Sequence, residues 1–286
     1  MRALLNTLFI TTPGAYLSRE RDTIAVQVDH ETRVRIPIHT LEGIICFGQV
    51  SCTPFLLELA AENGVAVTFC RENGRFMARM QGPVSGNVLL RRRQYQASDD
   101  CAVSAAIAKS IVIAKVANSR VVLLRAARER ADKDVIRALE FAGMRLSRIQ
   151  DAVASEDNLD IFRGHEGDAA ETYFSVFNYL VVAAKDAFFF ERRTRRPPLD
   201  NLNALLSFLY TLLAHDVVAA LESVGLDAQV GFLHRDRPGR PSLALDLMEE
   251  LRPVLADSLA LSLVNRRQIT GAGFRLSLPG SRGFLQ

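Results

Sequence analysis

Up to about residue 82, apolar and polar positions alternate with a period of two. "TIAVQV", "RVRIPIHT" and "VAVTFC" read as half-buried strands. "RENG", residues 71–74, predicts a hairpin turn between "VAVTFC" and "RFMARM". One short helix interrupts the strands at "TPFLLELAAENG": Thr53 can cap it, Pro54 fits its first turn and Gly64 ends it. "QGPVSGN" then supplies breaker residues. From Val88 onward the period becomes helical almost to the end. "AAIAKSIVIAKVANSRVVLLRAARER" is one long amphipathic helix or two, and "AAETYFSVFNYLVVAA", "LNALLSFLYTLLAHDVVAALESVG" and "SLALDLMEELRPVLADSLALSLV" follow. The expected fold is α+β. An N-terminal β-sandwich domain covers residues 1–82, a linker 83–99, and a larger all-helical domain 100–286.

Composition adds bounds. A 49% hydrophobic and 23% charged chain is ordinary globular material. No apolar run approaches the roughly 18 residues that span a bilayer. Polar residues interrupt "MRALLNTLFITTPGAYL" too early for a secretion signal, so a cytoplasmic protein is expected. Cys46, Cys52, Cys70 and Cys101 lack CxxC spacing and nearby histidine pairs, and are expected as buried free thiols. A net charge of +3 does not announce a nucleic-acid binder. Only four of the 35 basic residues are lysine (Lys109, Lys115, Lys133, Lys185). Arginine's planar fork suits phosphate contacts, although GC-rich codon usage produces the same bias.

Candidate chemistry sits at two places. On a helix starting at Ser242, Leu243, Ala244, Leu247, Met248 and Leu251 form one side, while Asp246 and Glu249 share the other. That second face is either solvated or part of a site, and His234, just upstream in a loop with Gly and Pro, favours the site. In "GHEGDAAETYF", Glu166 lies between Gly164 and Gly167, small residues that let a backbone or ligand come close. Glu166 alone also fits a helix-start glutamate facing the dipole, and His165 a surface histidine. Tyr173, Phe174 and Phe177 continue as an apolar stripe. Carboxylates with one imidazole form a hard, oxygen-rich donor set suited to Mg²⁺ or Mn²⁺. Arg192, Arg193, Arg195 and Arg196 form either a solvated loop or a phosphate clamp beside that site. Asn203 and Tyr210, on the next helix, reach the site or make buried hydrogen bonds. Arg91, Arg92 and Arg93 form a second basic cluster, and Lys115, Asn118, Arg120 and Arg125 a polar stripe on the long helix. Together these favour a DNA-facing helical half in which Lys115 and Arg120 take part. His30, His39 and His215 are expected to be structural.

"LLNTLFITTPGAYLS", "GPVSGNVLLRR", "EGDAAETYF", "RRTRRPPLDNLNALLSFLYTLL", "VGLDAQVGFLH" and "PSLALDLMEELRP" carry a resemblance over nearly the whole chain. The sequence resembles the CRISPR-associated spacer-acquisition integrases, the Cas1 family, and looks closest to the branch found with compact type I-C systems. The resemblance implies a β-sandwich followed by a helical catalytic domain. It also implies a metal held by Glu166, His234 and Glu249, with Asp246 assisting. The implied activity is endonuclease and integrase chemistry: a 3′-hydroxyl of captured DNA with 3′ overhangs attacks the leader–repeat phosphodiester. Homodimers formed through the β domain, with a small ferredoxin-like CRISPR-associated partner between two of them, are implied as well. The chain stops short of the family's usual C-terminal tail, which engages partner and DNA in relatives. A DNA-capturing scaffold or truncated fragment that binds without joining is therefore the rival expectation. An unrelated helical phosphohydrolase acting on small nucleotides is the third.

Overall fold

The computed structural model describes residues 6–72, 74–80, 82, 88–195 and 197–274. The chain divides into two compact units, Met1–Ser85 with Phe274–Gln286, and Gly86–Gly273.

The first unit carries strands β1 (Thr7–Ile10), β2 (Tyr16–Glu20), β3 (Thr23–Val28), β4 (Glu31–Pro37), β5 (Gly43–Phe47), β6 (Ser51–Cys52), β7 (Ala66–Cys70) and β8 (Phe76–Met80), with helix α1 (Pro54–Glu62) after β6. They form two four-stranded sheets, ordered β1-β5-β7-β8 and β4-β3-β2-β6. Strands β1, β5 and β7 run parallel, while β8 returns antiparallel to β7. Gly74 makes that return possible: it adopts φ +76°, and its amide donates to the Arg71 carbonyl at 2.8 Å. Helix α1 starts as its sequence demands, with Thr53 Oγ1 accepting from the Leu56 amide at 3.2 Å. Leu17 and Ile24 from one sheet, Ile44 and Val67 from the other, and Leu56 and Leu59 from α1 meet in one core. All four cysteines are free thiols, but only Cys46 and Cys70 are fully buried. Burial pushes the Cys46 thiol up to about 12, with neighbouring thiols adding to the shift. Cys101 is exposed, contrary to expectation, because it begins a helix rather than ending a strand.

The second unit contains α2 (Val88–Asp99), α3 (Cys101–Arg128), α4 (Lys133–Ser155), α5 (Leu159–Ser175), α6 (Asn201–Ser223), α7 (Ser242–Leu251) and α8 (Ser258–Asn265). Asp100, Asp132, Asn158 and Asp200 cap α3 to α6 by accepting backbone amides. The long apolar segment is a single helix, α3, packed against α2, α4, α5 and α7. Helices α3 and α6 are long and apolar enough to cross a membrane by length and composition, which the run-based reading did not anticipate. Val112, Val116 and Leu123 of α3 are fully buried in the unit, and a helix packed on several sides is apolar nearly all round.

Two boundaries differ from the expected ones. Residues 88–99 form α2 rather than linker, because the breakers end at Asn87; residues 83–87 lie outside the described residues. The segment from Ser242 to Asn265 is not one helix. A π-helical turn at Arg252–Asp257 separates α7 from α8. Pro253 lacks an amide donor, and the widened turn accommodates that loss.

Candidate functional site

Helix α7 places Asp246 and Glu249 on one face, but that face is not solvated: the two residues are 0% and 2% exposed. Asp246 is saturated by the loop before the helix. Its Oδ2 accepts from the Phe232 and Leu233 amides at 2.6 and 2.9 Å, and its Oδ1 from the His234 amide at 2.9 Å. Oδ1 also lies 2.6 Å from His234 Nδ1. A carboxylate oxygen only accepts, so Nδ1 carries the hydrogen and Nε2 is the nitrogen left to ligate. Asp246 thus positions His234. The loop approaches so closely that a Cβ on Gly231 would stand 2.8 Å from Asp246 Oδ2. From α5, Arg163 Nε donates to the Leu233 carbonyl at 2.8 Å and ties the same loop to the helix that carries Glu166. From α2, Gln94 Nε2 donates to the Asp227 and Val230 carbonyls at 2.8 and 2.9 Å.

Glu166 does not start a helix. Helix α5 begins at Leu159 behind its Asn158 cap, so Glu166 sits two turns in and the dipole reading falls away. Gly164 and Gly167 are helical positions, and a Cβ there would meet nothing within 4 Å. Among the described residues, no other backbone comes within 4 Å of such a Cβ.

The two halves meet at Lys115 of α3. Its ammonium donates to Glu166 Oε1 and stands 2.6 Å from Glu249 Oε2. Both contacts are charge-assisted, so the one ammonium ties together carboxylates from two helices. Glu249 Oε1 accepts from Arg252, one turn on. Burial alone would push the Glu249 carboxyl up; the Lys115 and Arg252 charges outweigh it and hold it at about 2. Beside this cluster is a cavity of about 30 Å³, lined among others by Lys115, Tyr173, Arg195, Tyr210, Glu249 and Asp257. That is room for a water or a small ion. Tyr210 donates to Asp257 Oδ1 at 2.6 Å, and burial raises the Asp257 carboxyl to about 6 against its hydrogen bonds and nearby arginines. Tyr173, Phe174, Phe177 and Phe190 form the aromatic backing.

The basic residues separate into two groups. Arg192 and Arg195 are exposed, whereas Arg196 lies outside the described residues. Arg193 is not a free clamp: its guanidinium donates to Asn203 Oδ1 at 2.7 Å and Ser207 Oγ at 3.2 Å, and stacks 5.2 Å from the Tyr210 ring. Asn203 is 0% exposed and also bonds Asp200, the Thr194 amide and the Arg192 carbonyl. Of the two roles expected for it, a reach into the site with a DNA contact or buried hydrogen bonding, the structure shows the buried bonds, on both side-chain polar atoms. Arg120 is half-buried, with its Nε unpaired. Lys115 faces carboxylates rather than the outside.

Among the described residues, no three His, Cys, Asp or Glu side chains stand close enough to hold an ion as they are. The donor set nevertheless fits a hard divalent cation. Two carboxylates from different helices already converge on one positive charge, and an imidazole in the loop before one of those helices is fixed in its ligating tautomer.

The profile of the family described as "CRISPR associated protein Cas1" matches residues 8–283. The chain belongs to the Cas1 family. A "CRISPR-associated endonuclease Cas1 1" of Chlorobaculum tepidum is 52% identical over 98% of this chain and 82% of its own length. The structure of a CAS1 protein from Thermotoga maritima is similar at a TM-score of 0.78, with 27% identity over 98% of this chain and 84% of that one. A chain of a Cas6-RT-Cas1–Cas2 complex, 26% identical, matches 96% of this chain and 29% of its own length, also at 0.78. This Cas1-family chain thus shares the mixed architecture of solved relatives, two sheets followed by a mostly helical part.

Sequence reasoning missed the residues that hold this Cas1-family site together. Gly231, Arg163 and Gln94 act through backbone groups and carry no pattern. Arg252 did carry one, its place three residues after Glu249 on a helix.

Proposed function

We propose that this chain is a metal-dependent DNA endonuclease and integrase of CRISPR adaptation. In this reading a 3′-hydroxyl of captured DNA is joined to the leader–repeat phosphodiester. The observation that carries it is the convergence of Glu166 and Glu249, from separate helices, on one cation position beside an Asp246-oriented His234. Glu166, Glu249 and His234 Nε2 would hold Mg²⁺ or Mn²⁺. Bound there, the ion supplies Lewis-acid polarisation of the phosphodiester and neutralises its developing charge. Asp246 keeps the His234 ring and its loop in register. Arg252 holds the second Glu249 oxygen, and Arg195, exposed and lining the cavity, would meet a phosphate oxygen. Family membership supports the nuclease reading. The relative found in a complex with Cas2 supports a Cas2 partner for this chain as well, which by the family resemblance would be small and ferredoxin-like. The resemblance further supports a homodimer through the β unit and a place in the type I-C branch.

Cleavage and rejoining of a labelled branched duplex tests the proposal, with Mn²⁺, Mg²⁺ or EDTA, in wild type and Glu166→Ala. Turnover that needs metal and disappears in the variant is expected. DNA bound equally by both proteins without turnover would leave a capturing scaffold instead. Activity on mononucleotides alone would point to the phosphohydrolase.

A further inference from the structure

Only four basic residues in this chain are lysines, and one of them is buried between the two carboxylates the proposed site needs. Lys115 is 9% exposed, on α3, with Glu166 on α5 and Glu249 on α7. Without a cation between them, two carboxylates from different helices in a poorly solvated place would repel each other and separate the helices. An arginine fork would satisfy them permanently through paired hydrogen bonds. An ammonium on a flexible stem is a point charge that can arrive and leave. Lys115 contacts both carboxylates at once, at the position where a divalent ion would also bridge them, with 2.6 Å to Glu249 Oε2. There is also somewhere for the ammonium to go. The adjoining cavity of about 30 Å³ is lined by Lys115 itself, reaches the exposed Arg195, and holds no charged side chain besides Lys115, Arg195, Glu249, Arg252 and Asp257.

We propose that Lys115 is a positioning residue that serves as the resident cation of the metal-free site. It holds Glu166 and Glu249 at the spacing a divalent ion needs, and is displaced by that ion towards Arg195. Once displaced, its ammonium joins Arg195 as a second contact for a DNA phosphate oxygen. The inference rests on the reading of Glu166 and Glu249 as cation ligands, and it adds a competitor built into the same site. A single ammonium balances one carboxylate, whereas a divalent ion balances both, so exchange favours the metal while the empty site stays assembled.

Two measurements test this. In the first, Mn²⁺ titration followed by electron paramagnetic resonance compares wild type, Lys115→Met and Lys115→Arg, together with the metal-free melting temperature of each. Lys115→Met is expected to melt lower without metal yet to bind Mn²⁺ about tenfold more tightly or better, having lost its competitor. Lys115→Arg is expected to regain the melting temperature and to bind Mn²⁺ more weakly than Lys115→Met. Unchanged or weaker Mn²⁺ binding by Lys115→Met would overturn the inference while leaving the cation site standing.

The second measurement needs no variant, and so decides the matter should Lys115→Met fail to fold. Acylation of the four lysines by a small reagent is followed by mass spectrometry with and without saturating Mg²⁺. Lys115 labelling is expected to rise severalfold, with Lys109, Lys133 and Lys185 unchanged as internal references. A Lys115 that stays protected at Mg²⁺ concentrations that raise the melting temperature would overturn displacement alone. Absence of any Mn²⁺ or Mg²⁺ binding by wild type would overturn this inference and the cation site together.

Discussion

The two units bury different things. Among the described residues, the first unit buries one polar side chain, Thr68, in a core otherwise built of Leu, Ile, Val, Ala and Cys. The second buries Lys115, Asp246, Glu249 and Asp257, all charged or chargeable, within a short stretch of structure around α3, α7 and the π-helical turn. Burying a charge costs several kcal/mol unless partners compensate it, so a cluster of four is not explained by stability. The apolar unit is organised for folding; the helical unit accepts strain in its electrostatics to present carboxylates and an imidazole at one place.

The sharpest way to break that contrast is to damage each core in turn. Asp246→Asn puts an amide where three backbone donors and the His234 ring need an acceptor. Expected losses are about 3 kcal/mol of stability and roughly 10–100-fold in Mn²⁺ affinity. Leu17→Ala in the first unit is expected to lose about 2–5 kcal/mol with Mn²⁺ affinity unchanged. Chemical denaturation paired with metal titration checks both, and a Leu17→Ala protein with weakened metal binding would dissolve the distinction.

A middle-sized effect concerns pH. Burial raises the Asp257 carboxyl from 3.8 to about 6 in the folded protein, so the folded state holds this proton more tightly than the unfolded one. Its stabilising contribution is full below 3.8 and is lost as pH rises through 6. The wild-type melting temperature should therefore carry a fall between those values that Asp257→Asn lacks, read by thermal scans across that range. Parallel profiles for the two proteins would place the proton elsewhere.

The smallest effect separates the arginines. Arg195→Ala is expected to flatten the salt dependence of DNA binding by about one unit in log–log slope, whereas Arg193→Ala should lower stability and leave the slope alone. Equal slopes for Arg195→Ala and wild type would return that loop to ordinary solvated charge.

The same contrast explains what could be read in the sequence. Elements governed by local rules were legible: the Thr53–Pro54 start of α1, the turn at Arg71–Gly74 and the Ser242 start of α7. So was the shared face of Asp246 and Glu249, because three-residue spacing on a helix leaves little choice. The identity of that face as buried was not legible, since it is covered by the 231–234 loop folding back on Asp246 and by α3, far away in the chain, over Glu249. Lys115 looked like one member of a basic stripe. Its partners, Glu166 and Glu249, lie 51 and 134 positions on, and no periodicity links them. Asn203 misled for the complementary reason: a polar residue on an apolar helix signals either a site or a buried network, and only the positions of Arg193 and Thr194 decide between them.

The central claim is that carboxylates of α5 and α7 share one cation, and Mn²⁺ binding to wild type, Glu166→Gln, Glu249→Gln and the double variant tests it most directly. The account predicts a single tight site in wild type. Either substitution should weaken it strongly, and the double variant should be little worse than either alone, because both side chains serve the same ion. Wild-type affinity in either single variant, or losses that simply add, would contradict it.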